Sequence, residues 1–461
     1  MLSLRAERGF YKRALYIAIP IMIQNGITSF VSMLDNIMVG RVGTDPMSGV
    51  AIVNELMFVW YLCLFGGLSG IGIFTAQFYG KKDEKGIRYT FRLMWMLILV
   101  LVAAGILVFR LADTPLIRLF LHEDSGIGDV AATLLYAEKY LSVMLIGMLP
   151  MGITQIYSAT LKSMGETVAP MKASIAAVAV NLIGNYILIY GKFGAPALGV
   201  VGAAAATAAS RFVEMAILMV HVHRNTQKYP FIQGAYADKY VPRDLLVGCV
   251  KKGTPLLFNE TLWAAGMAAL TQSYSLRGLS VVAAFSISQT VTNVFSVVFI
   301  QMGMAIGIVI GQELGTGKTD TVQEDARRLM IFAVLICLIT AAAQLAVSGA
   351  FPRIYYTSDE IRHIATGLIR VNAFCMPLFS FSNAAYFVLR SGGKTMLTFF
   401  FDSLYTFLFP LPLAFILSRF TDMPILYLYL CVQLTEIVKC IIGGVLVKKG
   451  IWINDITHYE A

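Results

Sequence analysis

IGIFTAQFYG at residues 71–80 and IGIVIGQELG at residues 306–315 share Ile-Gly-Ile, then Gln, then Gly, at identical spacing. Gln77 and Gln312 therefore stand 235 positions apart, and the same offset pairs Pro20 with Pro255, Gly43 with Gly278 and Arg92 with Arg327. A neighbouring register, 228 positions, pairs LKSMGET from Leu161 with LRSGGKT from Leu389, and Ala137 with Ala365. Agreement at several positions in one register marks a doubled unit of roughly 230 residues.

What is doubled is apolar. Of 461 residues, 57% are hydrophobic and 14% charged, where a soluble domain carries about 25% charged residues. Apolar runs of about 20 residues recur along the whole length, the mark of a polytopic membrane protein. They predict twelve helices, near 14–39, 48–76, 91–110, 131–157, 167–190, 195–220, 250–275, 282–311, 328–348, 363–388, 396–418 and 423–447. A membrane barrel would need period-two alternation, which these runs lack. Inside lipid the backbone must satisfy itself, so the class is all-α. The opening MLSLRAERGFYKR is charged and has no small-residue cleavage site, so the first run reads as a membrane helix and not a signal peptide.

The net charge of +9 sits in short loops between the runs. That placement fits membrane topology, and no nucleic-acid partner is expected. With the N-terminus cytoplasmic, most Lys and Arg fall on the cytoplasmic side, which places both termini inside. The expected organisation is an N-terminal six-helix bundle at 1–220, a cytoplasmic linker at 221–245 and a C-terminal six-helix bundle at 246–461. Six helices per unit is even, so the halves should relate by a pseudo-twofold along the membrane normal. Pro20 and Pro255 are expected in the first turns of their helices. Pro150 and Pro377 lie deeper and can kink theirs.

Soluble-enzyme chemistry finds little support. The six cysteines form no CxxC pair and mostly lie within apolar runs. His122, His221, His223, His363 and His458 show no metal-ligand spacing. GKT at 317–319 resembles the end of a phosphate loop, but Gln312 stands where the loop needs its first Gly. With no ATP-using domain, any pumping must draw on an ion gradient.

Charge within the membrane is therefore the informative feature, because such residues usually face a cavity or a partner. Glu214 has Arg211 three residues before it and Glu436 has Lys439 three after, so both read as helix-end salt bridges. Asp402 and Glu55 lie near helix ends. Asp35, in TSFVSMLDNIMVG, has no basic residue within a helical turn or two, and its repeat partner Leu270 is apolar. Glu260, in TPLLFNETLWAAG, has Asn25 as its partner. Asn181 and Asn185 share one helix face, and Thr207 sits in an Ala- and Gly-rich run that allows close helix approach. A carboxylate, two amides and a hydroxyl are hard oxygen ligands, suited to a small hard cation or a relayed proton. Helix–helix hydrogen bonding is the bland alternative for the two Asn residues.

The motifs LDNIMVGRVG, AQFYGKKDEKG, LKSMGET, NLIGNYILIYG, LGVVGAAAATAAS, GQELGTGK and LRSGGKT together resemble the multidrug and toxic compound extrusion (MATE) transporters, of the bacterial NorM/DinF-like kind, over essentially the whole chain. The resemblance implies two six-helix bundles and alternating access driven by Na⁺ or H⁺ influx. It matches the family's first-helix acid to Asp35, its fifth-helix Asn to Asn181 and its sixth-helix Thr to Thr207. It departs at Asn185, where many members carry Asp. It departs again in the second half, where the seventh-helix Glu of NorM-type members lies about one turn beyond Glu260 and the tenth-helix acid falls near Phe379.

The expected function is a monomeric secondary antiporter of the inner membrane, exporting amphipathic cationic organic compounds in exchange for H⁺ or Na⁺. Asp35, Asn181, Asn185 and Thr207 form the coupling site. Na⁺, if it is the ion, would sit at Asp35, Asn181 and Thr207, and Glu260 is the candidate of the second half. One carboxylate in place of two favours H⁺. No cofactor is expected beyond the coupling ion, and lipid is the surrounding partner. The rival readings are a flippase for a lipid-linked precursor, an intramembrane enzyme and a channel.

Overall fold

Apolar segments this long can satisfy their backbone in lipid only as helices. The computed structural model describes residues 8–121, 129–317 and 319–457, with no strand among them. His122, Lys318 of the GKT stretch, His458 and both chain ends lie outside the described residues. In order, the α-helices are α1 (Arg8–Gly40), α2 (Thr44–Lys81), α3 (Glu84–Leu111), the short α4 (Asp113–Arg118), α5 (Val130–Ser163), α6 (Val168–Tyr190), α7 (Val200–Arg224), α8 (Arg243–Ser275), α9 (Leu279–Gly315), α10 (Thr319–Val347), α11 (Asp359–Ser391), α12 (Thr395–Phe399), α13 (Tyr405–Leu408), α14 (Pro410–Phe420), α15 (Ile425–Leu434) and α16 (Glu436–Lys448). A π-helical turn, Phe400–Leu404, joins α12 to α13.

Eleven segments are long and apolar enough to cross a membrane, counting 395–420 and 425–448 as one span each. The polytopic all-α class expected from composition is therefore the class observed, and α8, at 33 residues, is the twelfth long helix. Several helices outrun the bilayer. The 38 residues of α2 rise about 57 Å against a hydrocarbon core of about 30 Å.

That extra length corrects one expectation. Because α1 and α8 begin well before their apolar runs, Pro20 and Pro255 lie inside these helices and not in their first turns. Each removes a backbone donor mid-helix, as do Pro150 in α5 and Pro377 in α11.

Contacts divide the chain into two compact units. One holds the described residues up to Met22, Ala76–Asp83 and those from Val247 onward; the other holds Ile23–Thr75 and Glu84–Leu246. In the first unit, residues 76–80 and 306–315 of the repeated stretches cross backbone to backbone. A Cβ on Gly80 would stand 1.9 Å from the Gln312 carbonyl oxygen, and one on Gly315 would stand 1.9 Å from the Gln77 carbonyl oxygen. The crossing is reciprocal, which is why both stretches need Gln, two residues, then Gly. Gln312 accepts from Arg13 Nη2 at 2.5 Å. Gln77, fully buried, donates to the carbonyls of Ser391 (3.0 Å) and Asn454 (3.1 Å) and accepts from the Ile456 amide at 2.9 Å. The segment after α16 is thereby folded back, with Trp452 fully buried.

In the second unit, α3, α5, α6 and α7 pack together, and the connection after α7 is laid over α3. Buried Arg92 donates to the carbonyls of Gly234, Ala235 and Tyr240 at 2.8–2.9 Å. Tyr236 enters a ring cluster with Phe91, Trp95 and His223, and its hydroxyl lies 2.5 Å from that of Tyr157. The polar connection is thus an ordered part of this unit. Its Lys228 pairs with Glu166 at 2.5 Å, and that hydrogen bond holds the lysine above the ordinary range.

Candidate functional site

The residues singled out in the first half meet inside the second unit. Asn181 and Asn185, one turn apart on α6, are both buried and face α1 and α7. Asn185 Nδ2 donates to Asp35 Oδ1 at 2.6 Å. Asn181 and Thr207 are joined at 3.1 Å. Small residues on both helices allow this approach: a Cβ on Gly184 would lie 2.9 Å from that of Ala206.

The Asn181 amide also lies 3.1 Å from both oxygens of Asp35. Facing a bare carboxylate, the amide nitrogen belongs on that side, since an amide oxygen there would set acceptor against acceptor. The nitrogen then donates to both Asp35 oxygens and the oxygen accepts from Thr207 Oγ1. Asn185 Oδ1 is buried and has no hydrogen-bond partner. The cluster therefore offers a carboxylate, a hydroxyl, one reversible amide and one spare carbonyl oxygen. These hard donors fit a small monovalent cation or a proton.

A cavity of about 50 Å³ opens beside Asp35, bordered by Asn181, Thr207, Thr28, Ser174 and Arg211 among others. A single water needs about 10–15 Å³ by the same measure, so the space admits a few waters or a small ion and no drug-sized molecule. Arg211 changes the picture drawn from sequence. Asp35 has no basic neighbour along its own helix, but α7 brings this guanidinium to the same cavity, where it pairs with buried Glu214 at 2.9 Å. What reads in sequence as a helix-end salt bridge stands beside the candidate acid.

In the first unit, Glu260 is half-buried, and its neighbour Asn259 is the buried one, 1% exposed. Asn259 Nδ2 donates to Asp402 Oδ2 (3.1 Å) and to the Tyr386 hydroxyl (3.3 Å), while its Oδ1 accepts from Ser403 Oγ at 2.7 Å. Asp402, read from the sequence only as an acid near a helix end, is held by partners within this unit. Sequence reasoning stopped at the charge and missed the amide beside it. The repeat held a signal, since Gln24 stands at the equivalent position. Among the described residues no cluster of His, Cys, Asp and Glu is arranged to hold a metal.

Residues 20–187 and 255–416 match the MatE family, and the two matched segments start 235 positions apart, the offset that separates Gln77 from Gln312. A probable multidrug resistance protein NorM from Thermotoga maritima is 24% identical over 420 residues, covering 90% of this chain and 87% of its own. The multidrug resistance protein MdtK of Edwardsiella ictaluri is 26% identical over 420 residues, covering 88% and 87%. Among solved structures, the outward-facing form of a multidrug resistance MATE transporter of the MOP superfamily aligns with a TM-score of 0.85 at 19% identity, over 97% of each chain. The matched family covers most of the chain and both halves of its duplication: the protein belongs to the MatE family and is a multi-pass membrane transporter, not an enzyme.

Proposed function

We propose that this transporter is a secondary antiporter that exports amphipathic, cationic organic compounds in exchange for H⁺ or Na⁺, as a monomer in the inner membrane with both termini cytoplasmic. The observation that carries the reading is the buried set around Asp35: one carboxylate, hydrogen-bonded by Asn185 and Asn181, beside a cavity of ion size. An acid buried at membrane depth is costly unless a partner or function keeps it there. The relatives' names support multidrug export, and the buried cluster supports a site for the driving ion.

The Asn181 amide gives the site two states. With Asp35 bare, its nitrogen faces the carboxylate. With a proton or cation on Asp35, the oxygen is the better neighbour, and Asn185 Nδ2 can then donate to it at 3.4 Å. Such a rearrangement favours one conformation over another, as coupling requires. A single carboxylate gives weak charge for Na⁺, so H⁺ is the favoured ion.

The test is accumulation of a fluorescent organic cation by inverted vesicles, with a pH or a Na⁺ gradient imposed separately. Accumulation driven by either gradient supports antiport and names the ion; accumulation driven by neither removes the reading. The flippase alternative draws on Arg211 in the cavity. A labelled lipid-linked precursor moved without organic-cation exchange would favour it.

A further inference from the structure

We propose that Asp402, Lys439 and Glu436 form a second proton-loading site, at which Glu436 takes up one proton per transport cycle. The proposal rests on the antiporter reading and adds a second coupled ion to it.

Lys439 Nζ lies 2.8 Å from Asp402 Oδ1 and 3.9 Å from Glu436 Oε1, and the three side chains are only 12–17% exposed. Two carboxylates share one ammonium, so the ionised set carries one negative charge in excess. Arg390 and Glu260 lie within electrostatic reach of each other, and when both are ionised they add no net charge to the set. A net charge at such depth is costly, and a proton removes it.

Geometry says which carboxylate receives it. Asp402 has both oxygens engaged, Oδ1 by Lys439 and Oδ2 by Asn259. Glu436 holds its ammonium at arm's length and accepts a short hydrogen bond from Ser382 Oγ. It is the carboxylate whose charge is not matched. The step balances simply: Glu436 gains a proton from water on one side, becomes a neutral acid while Asp402 and Lys439 stay paired, and returns the proton to water on the other side.

The backbone supplies a reason for this placement. Asp402 rides on the π-helical turn Phe400–Leu404. Lys439 and Glu436 begin α16 just past the interruption at Thr435, whose carbonyl accepts from the Tyr405 hydroxyl at 2.6 Å. Irregular helix at membrane depth is concentrated at functional sites. The remaining groups around Glu436 do not supply a counter-charge. Cys375 on α11, Cys440 on α16 and Tyr405 on α13 are within its electrostatic reach, and a thiol or phenol carries no positive charge in either protonation state. Helix α10 carries no charged residue after Arg328, and its Gln323 meets the far end of α16 at Lys448. Helix α15 carries no charged residue.

The experiment uses the full chain in proteoliposomes, with ethidium as probe and the membrane potential held at zero by potassium and valinomycin. At equilibrium each coupled proton contributes about a tenfold ethidium ratio per pH unit. Wild type should level off near a hundredfold ratio for one pH unit if H⁺ also loads Asp35. If Asp35 takes Na⁺, the pH unit should add about tenfold to the Na⁺-driven ratio. Glu436→Gln should remove one factor of about ten. Asp402→Asn should do the same, because Lys439 is then matched by Glu436 and no proton is needed. A purely structural pin would slow the approach and leave the end point unchanged. The proposal is overturned if wild type shows only one coupled ion, if only Na⁺ changes the end point, or if both variants keep the wild-type ratio. If wild type exchanges ethidium for neither ion, the antiporter reading fails instead.

Discussion

Asn185 donates to Asp35 at 2.6 Å while its own carbonyl oxygen, buried behind the bond, has no partner. The same amide thus steadies the charged carboxylate and keeps one acceptor in reserve. Replacing Asp35 by Asn keeps the shape and removes the charge. The equilibrium ethidium ratio should lose the share that Asp35 couples and keep only the share carried through Glu436, while the protein still inserts and still binds the organic cation in an equilibrium-binding assay. A D35N end point equal to that of wild type would contradict the assignment.

Asn185→Asp tests the other side of that bond. It replaces a donor by a second carboxylate close to the first, and two like charges at that distance cannot both stay bare. Transport by the variant should become responsive to Na⁺ at constant pH, because two carboxylates hold a cation where one holds it weakly. The measurement is ethidium efflux after a Na⁺ pulse, which should stimulate N185D several-fold more than wild type.

Gly80→Ala and Gly315→Ala each place a methyl group 1.9 Å from a backbone oxygen, where no side chain can yield. Each should destabilise the protein by about 3 kcal/mol, the upper end for overpacking. The expected sign is a lower midpoint in detergent-solubilised thermal unfolding. A variant as stable as wild type would mean the crossing has room for a methyl group.

Glu260→Gln should leave measurable efflux, since Glu260 is only half-buried. Asn259→Ala should be the more harmful neighbour: it strips a donor from Asp402 and an acceptor from Ser403, at a cost of about 1.5–3 kcal/mol for a hydrogen bond to a charged group. Comparing the two at matched membrane levels checks the order. Loss of transport in E260Q alone would reverse it.

Arg92→Ala removes three hydrogen bonds to the connection after α7. Trypsin should then cut faster between Lys228 and Arg243, with α3 and α5 still protected. Unchanged cleavage would show that the ring cluster around Tyr236 holds the segment without Arg92.

The duplication, the helical class and the N-terminal cluster were legible because each leaves a mark along the chain: a fixed offset, a run length, a one-turn spacing between Asn181 and Asn185. Arg211 beside Asp35 and Asn259 beside Asp402 were not legible in that way. Both juxtapositions join helices far apart in sequence, and the rotation of each helix decides which neighbour of a charged residue turns inward. Hydrophobic pattern fixes that rotation poorly when a helix is apolar nearly all round. Pro20 and Pro255 were misplaced for a related reason, since helices continue past the apolar run into charged residues that composition assigns to loops.

The fully buried Gln77 amide finds its partners at Ser391, Asn454 and Ile456. Those partners are translated more than 300 residues later. While the ribosome is still making the intervening helices, the end of α2 must wait, hydrated or provisionally bonded, with its final contacts not yet in existence. A stop codon after α16 would then spare every membrane-spanning helix and still leave this crossing unfinished. Nascent chains of that kind should be held by chaperones and cleared by membrane proteases, although nothing within the bilayer is missing.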